Sequence, residues 1–440
     1  MKKYMILAAV AALTLASCAK IETVPTNTVA ENAPIGFTNY TPRSLTKADA
    51  NYYVSGTTLV SNKQFAVYAW STAYGSFLGV NPGTPNFMNP AAVTWAGDDA
   101  DGDANTYSPT RYWPSGDEPE NLSFTAYYPY GSGTGITAPT FAASGDGGVG
   151  SYAFTAQSTP AAMVDFCVAD VINDQTYGHT NKTASGYSGT VNMPFKHMLT
   201  KVQFKFKAAS DVENTTVIEL VDAKLENVKT TGTLNATYTK NASPAVNALG
   251  STAYAWASVA KESTPKVYDI TVSRDAAAPL TALASANPEV GSEVVLTTTA
   301  TTVEDADIFL MIPQDMVAKT DASNAQKLVV TWKVKIYDTA ANATANAGTT
   351  VGSNGLVSVT QNVKTLYLDE CVKSDEPMYD DDNDSATDEV ANPDYTAQAN
   401  IDWARNAFVT YTITIGPKPI YFTATVDEWG TEQFGYFNVN

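Results

Sequence analysis

Histidine is almost missing from this chain: His179 and His197 are the only two in 440 residues. Acid–base chemistry on imidazole therefore has little material. There is also no Gly-x-Ser-x-Gly elbow, no His-Glu-x-x-His, no phosphate loop and no Cys-x-x-Cys. Gly131-Ser-Gly-Thr-Gly135 follows Pro129-Tyr130 instead of joining a strand to a helix, and reads as a turn. Asp369 and Glu370 are an acid pair, but nothing holds them across a cleft as glycoside hydrolysis requires. His197 opens a strong strand pattern and is expected to pack, not to react. Neither an enzyme nor a cofactor is expected.

Positive charge is scarce as well. Lys and Arg number 26 against 45 Asp and Glu, a net charge of −19, so the chain lacks the basic footprint that nucleic acid needs. Beyond the first residues no apolar run is long enough to cross a bilayer. Cysteines number three. With Cys18 assigned below, Cys167 and Cys371 are left, and a bridge between them is permitted in an oxidising compartment. Because Cys167 sits in a strand-like run, Met163 to Ala169, two separate buried thiols are the expectation.

What is present begins at the first residue. Met1-Lys2-Lys3 precedes a mostly apolar stretch from Tyr4 to Ala16, and Leu15-Ala16-Ser17-Cys18 closes it. Lysines, a short greasy core and small residues before a cysteine make a cleavable secretory signal of the lipobox type. Residues 1–17 are thus expected to be a lipoprotein signal peptide and Cys18 the lipidated residue, with the rest folding outside the cytoplasm.

The body is rich in Thr, Ala, Asn, Val and Tyr, while charged residues make up only 16%. That is the composition of pleated, half-buried surfaces. Lys63 to Trp70, Leu122 to Tyr128 and Ala162 to Val168 alternate with period two, and Gly, Pro, Asn and Asp clusters separate such runs. From Phe195 the pattern sharpens. Val202, Phe204 and Phe206 share one face, and Lys201, Gln203, Lys205 and Lys207 share a face expected to be wet. No stretch sustains a helical repeat. The expectation is an all-β chain with two β-sandwich domains in tandem, 48–194 and 195–440, preceded by a tether and short first strand over 18–47. The acidic loop from Asp369 to Asp394 is read as a surface excursion.

Two acidic runs have the alternating oxygens of a calcium loop. Asp99, Asp101 and Asp103 lead into Asn105 but lack the sixth-position Gly and end at Thr110 where a Glu belongs; Asp380, Asp382 and Asp384 are followed by Ser385. Both fit solvated turns better, with Asp99, Asp101 and Asp103 the weak calcium candidates and no other metal site expected. Seven tryptophans and 24 tyrosines open another reading, a surface glycan-binding β-sandwich lipoprotein, since aromatic platforms stack on sugars. Trp70, Trp332 and Trp429 lie in or beside alternating runs, which favours the core instead.

Several motifs together resemble the fimbrillin family, the lipoprotein pilins of type V pili. Tyr112-Trp113-Pro114 and Leu122 to Pro129 resemble its Tyr-Trp-Pro … Phe-x-Ala-Tyr-Tyr-Pro signature. Phe195 to Phe204 resembles its His-x-(Leu/Met)-(Ala/Ser/Thr)-Lys-Val strand, and Tyr411 to Trp429 its closing hairpin. With the lipobox, Ile35-Gly-Phe37 and a basic-Ala step, the likeness runs over nearly the whole chain. It implies transthyretin-like sandwiches and a structural pilin that supports cell adhesion. Such a pilin is exported as an outer-membrane lipoprotein and trimmed by an Arg- or Lys-specific protease. It then polymerises by strand exchange with other pilin subunits, as a homo- or hetero-polymer in a surface fimbrium. Carried over here, the removable strand is the one with Ile35 and Phe37, and the cut follows Arg43 or Lys47. The donor strand is 430–440, with Phe434 and Tyr436 on one face and Phe437 and Val439 on the other, its phase open.

Overall fold

Alternating β-branched and aromatic residues form strands along nearly the whole chain. The computed structural model describes residues 33–40, 54–55, 58–59, 64–74, 76, 78–79, 82–95, 105–115, 119–141, 149–177, 189–209, 212–240, 251–270, 294–296, 308–370, 401–416 and 421–428. The fold is all-β, as the alternation predicts.

The first sheet holds β1 (Gly36–Tyr40), β4 (Gln64–Thr72), β5 (Met88–Thr94), β6 (Asn121–Tyr128), β8 (Cys167–Ala169), β9 (Ile172–Gln175) and β10 (Thr190–His197), with β2 (Val54–Ser55) and β3 (Thr58–Leu59) a small separate ribbon. Its order is β1-β10-β8-β6-β4-β5, with β9 on β6. A second sheet joins the two halves of the chain: β7 (Gly150–Thr155) pairs with β13 (Thr231–Thr239), which pairs with β14 (Ser251–Ala260). The third sheet contains β17 (Phe309–Met311), β11 (Thr200–Ala208), β20 (Ala407–Ile415) and β21 (Tyr421–Glu428), in that order. Opposite it lie β15 (Tyr268–Asp269), β12 (Thr216–Glu226), β18 (Lys327–Tyr337) and β19 (Leu356–Tyr367), with β16 (Val294–Val295) also on β12.

Two apolar clusters organise these layers. One lies on the β1 side of the first sheet and includes Ile35, Phe37, Phe65, Trp113, Phe124, Tyr128 and Phe195. The other runs from Tyr68, Tyr152 and Phe166 into the space between the third and fourth sheets, around Phe204, Leu220, Phe309, Leu328 and Tyr411. Both faces of β6 are therefore buried, which explains why all eight of its residues are inaccessible.

Three features differ from the sequence reading. The face of β11 expected to be wet is partly covered: Lys201 and Gln203 are buried, and the Lys201 ammonium sits 4.7 Å above the ring of Phe408, its cross-strand partner on β20. β10 runs to His197, past the boundary expected at 194, and β7 and β13 share a sheet across it. A short helix, α1 (Ala340–Ala345), interrupts the strand pattern; Thr339 caps it by accepting from the Asn342 N–H at 3.3 Å.

The tyrosines beneath the first sheet give a prediction about pH. Tyr68 and Tyr127 stack at 6.3 Å, and Tyr127 meets Tyr152 at 5.6 Å. Burial first, then the neighbouring Tyr130, pushes the Tyr127 phenol up to about 12, and burial also raises Tyr68 and Tyr152. The folded state thus holds its phenolic protons where an unfolded Tyr, at about 10, releases them, so stability is full below about pH 10 and falls as pH rises toward about 12. Urea midpoints should fall over that interval while tyrosinate absorbance rises.

A first strand held in a slot

β1 is laid parallel on β10, with Gly36 opposite Thr190, Phe37 opposite Val191 and Thr38 opposite Asn192. The alternation runs from the residues before β1 into the strand: Ala33, Ile35 and Phe37 are buried, whereas Pro34 is exposed. The Phe37 ring stands edge-on to Phe124 at 5.8 Å and to Tyr107 at 5.5 Å.

The other flank of β1 is closed by the segment 105–113. Ile35 N–H donates to the Arg111 carbonyl at 2.9 Å, and Trp113 N–H donates to the Ala33 carbonyl at 2.9 Å. Pro34 and Tyr112 form an antiparallel bridge between them. The Tyr107 hydroxyl donates to the Ile35 carbonyl at 2.8 Å, and the Asn105 amide donates to the Phe37 carbonyl. β1 and the residues that lead into it, 33–35, are therefore bonded to β10 on one edge and to 105–113 on the other, over an apolar floor. A short, near-terminal strand otherwise frays.

The Tyr-Trp-Pro motif acquires a physical role here. Trp113 is buried, packs edge-on to Phe124 at 5.9 Å, and its indole N–H donates to the Gly189 carbonyl at 2.8 Å. That carbonyl also accepts from the Gly36 N–H at 3.2 Å. Gly189 has φ +67, and a Cβ there would lie 3.3 Å from Trp113 Nε1 and 3.4 Å from the Pro34 carbonyl, so only glycine suits the head of β10. Gly36 is constrained differently: an added Cβ would meet Thr190 Oγ1 at 3.0 Å.

Of the residues singled out from sequence, the structure brings Ile35 and Phe37 into this slot. Cys18, Arg43, Lys47, Asp99, Asp101, Asp103, Asp380, Asp382, Asp384, Cys371, His179, Trp429, Phe434, Tyr436, Phe437 and Val439 lie outside the described residues. Trp70, Trp95, Trp113, Trp332 and Trp403 are all buried, so these five offer no sugar platform. Asp369 accepts from the Lys319 N–H at 2.6 Å and Glu370 pairs with the Lys319 ammonium, which ties both acids to the 318–321 turn.

Sequence reasoning missed one polar group. Asp165, just ahead of β8, lies 2.8 Å from His197 Nδ1, and Cys167 Sγ lies 3.6 Å from the same nitrogen. All three are buried, Cys167 as a free thiol. Burial, then the charge of Asp165, pushes that thiol well above its ordinary range, so it is not a nucleophile at neutral pH. Asp, Cys and His are also the residue types that can ligate a metal ion, and they form such a group among the described residues.

The described residues thus form an all-β body whose first strand is clasped between β10 and the segment 105–113. The chain belongs to the fimbrillin-like family, whose model matches residues 46–372. Among solved structures it is similar to a fimbrial protein from Bacteroides vulgatus, at 18% identity over 90% of this chain and 100% of that one, TM-score 0.48. It is also similar to a protein from Bacteroides uniformis assigned to cell adhesion, at 14% identity over 91% and 100%, TM-score 0.41. No curated protein matches the chain. Family membership makes this a pilin-like adhesion protein of a cell-surface appendage, a structural subunit and not an enzyme.

Proposed function

We propose that this is the precursor of a type V pilus subunit, exported as an outer-membrane lipoprotein through Cys18. Proteolysis after Arg43 or Lys47 removes β1 with its lipid, and the C-terminal strand 430–440 of another subunit fills the vacated slot. The single observation that carries this reading is the way β1 is held. Its removal would uncover the edge of β10, the carbonyls of Arg111 and Gly189, and the floor around Phe124 and Trp113. An open edge above an apolar floor is a template for strand addition. Arg43 and Lys47 lie three and seven residues beyond Tyr40, the last residue of β1, so either cut would free the strand from the body. The tail has matching substance: four large side chains buried at ~1.5–3 kcal/mol each supply a gross ~6–12 kcal/mol per joint, before the cost of ordering.

The test uses the lipid-free full chain and a trypsin-like protease. New N-termini are expected at residue 44 or 48, together with SDS-resistant ladders that a deletion of residues 430–440 abolishes. Trimmed protein that stays monomeric, or ladders that persist without the tail, would overturn the proposal.

A further inference from the structure

The polar cluster behind the slot is buried as completely as the apolar core. Cys167 opens β8 and His197 closes β10, and the antiparallel pairing of these strands sets the two residues directly opposite each other. Asp165 and Cys167 are 0% exposed and His197 is 5% exposed. Sγ lies 3.6 Å from Nδ1, Asp165 Oδ2 lies 2.8 Å from Nδ1, and the three ligand atoms are all within 4.8 Å of one another.

Asp165 is the telling member. By strict geometry neither of its buried oxygens has an aligned hydrogen bond; Oδ2 lies 2.8 Å from His197 Nδ1, and the Cys167 thiol is near enough for Asp165 to hold its proton. A carboxylate taken out of water is costly unless both its charge and its lone pairs are answered. A bound cation answers both.

We propose that Asp165, Cys167 and His197 form a binding site for a borderline-soft divalent cation of the zinc type, acquired as the chain folds. The mixed sulfur, nitrogen and oxygen set disfavours calcium and magnesium, which take oxygen only. Zinc bonds to Cys and His, at ~2.3 and ~2.05 Å, subtend about 3.5 Å across a tetrahedral angle, close to the Sγ–Nδ1 separation here. The Asp165–His197 edge opens by about half an ångström to reach the same tetrahedron. On ligation the Cys167 thiol proton leaves to solvent, the sulfur binds as thiolate and His197 binds through Nδ1. Three protein ligands leave the fourth position to water.

The position gives the ion its role. β10 carries the β1 slot at its Thr190–Pro194 end and the cluster at its other end. Beyond the cluster, the Met198 N–H donates to the Phe166 carbonyl at 2.8 Å and the Met198 carbonyl accepts from the Trp256 indole at 2.9 Å. A cation bridging β8 and β10 therefore pins the strand against which a first strand docks, at the point where the chain passes into β11.

The experiment unfolds the full chain carrying C18A and C371A, which leaves Cys167 as its only thiol, and refolds it with Co(II) as a spectroscopic stand-in. One equivalent of cobalt is expected to survive desalting, with a thiolate-to-cobalt charge-transfer band in the near ultraviolet that added Zn(II) abolishes. Adding C167A should remove the band. Refolded protein that retains no cobalt, or retains it without the band, would overturn the site; so would a band unchanged in a folded C167A chain. The readout needs no polymer, so it stands or falls apart from the pilin proposal.

Discussion

Replacing Phe37 by alanine should destabilise the unprocessed chain by about 3–5 kcal/mol, the usual range for a buried aromatic cut back to a methyl group. The upper half of that range is expected. Phe37 is 1% exposed and its ring touches Tyr107 and Phe124 edge-on, so two favourable aromatic contacts go with the buried area. The floor cannot collapse into the void, because Trp113 is fixed by its bond to Gly189 and Phe124 belongs to a strand buried on both faces. The same substitution should leave protease-trimmed protein untouched, since a cut after Arg43 or Lys47 discards residue 37. Urea unfolding before and after trimming measures both. A loss under about 1 kcal/mol in the full chain would show that the N-terminal sheet does not depend on β1, and the slot would then be no vacancy in waiting.

How far the sequence alone reaches is visible strand by strand. β4 and β6 were legible because alternation, flanking turn residues and length agree. The Ile35-Gly-Phe37 triplet was legible as a strand, and the structure buries Ile35 and Phe37. The flank of the slot was not. Residues 105–113 form no named strand; they hold β1 through one isolated bridge and single hydrogen bonds, which leave no periodic trace. Trp113 could be read only as part of a motif, since its partner carbonyl at Gly189 is 76 residues away. The wet face of β11 was misread because alternation reports two chemical faces and cannot tell which layer lies beyond each. The Asp165–Cys167–His197 group was invisible for a related reason: it exists only once β8 and β10 pair.

The register of the slot makes a second expectation, on the strand-exchange proposal, that the incoming tail is not free to choose its phase. β1 reads inward at Ala33, Ile35 and Phe37, and the residue between the last two must clear Thr190, where even a Cβ comes to 3.0 Å of the hydroxyl. The tail repeats that grammar: Ile35-Gly36-Phe37-Thr38-Asn39 finds its counterpart in Phe434-Gly435-Tyr436-Phe437-Asn438. In this phase Phe434 takes the seat of Ile35, Tyr436 takes that of Phe37, and Gly435 passes Thr190. In the other phase Asn438 would have to pass it, against the same hydroxyl. Gly435→Val should therefore abolish the SDS-resistant ladder, whereas Gly435→Ala should only weaken it. Thr190→Ala in the accepting subunit should restore the ladder of the Gly435→Ala donor, because losing the hydroxyl leaves nothing nearer than the 3.6 Å contact with Cβ, ordinary van der Waals distance. Mixing marked donors with trimmed acceptors separates the two sides of the joint. Ladders of full length from Gly435→Val would mean that Phe437 and Val439 face inward instead, and the glycine would then have no bearing on which end enters the slot.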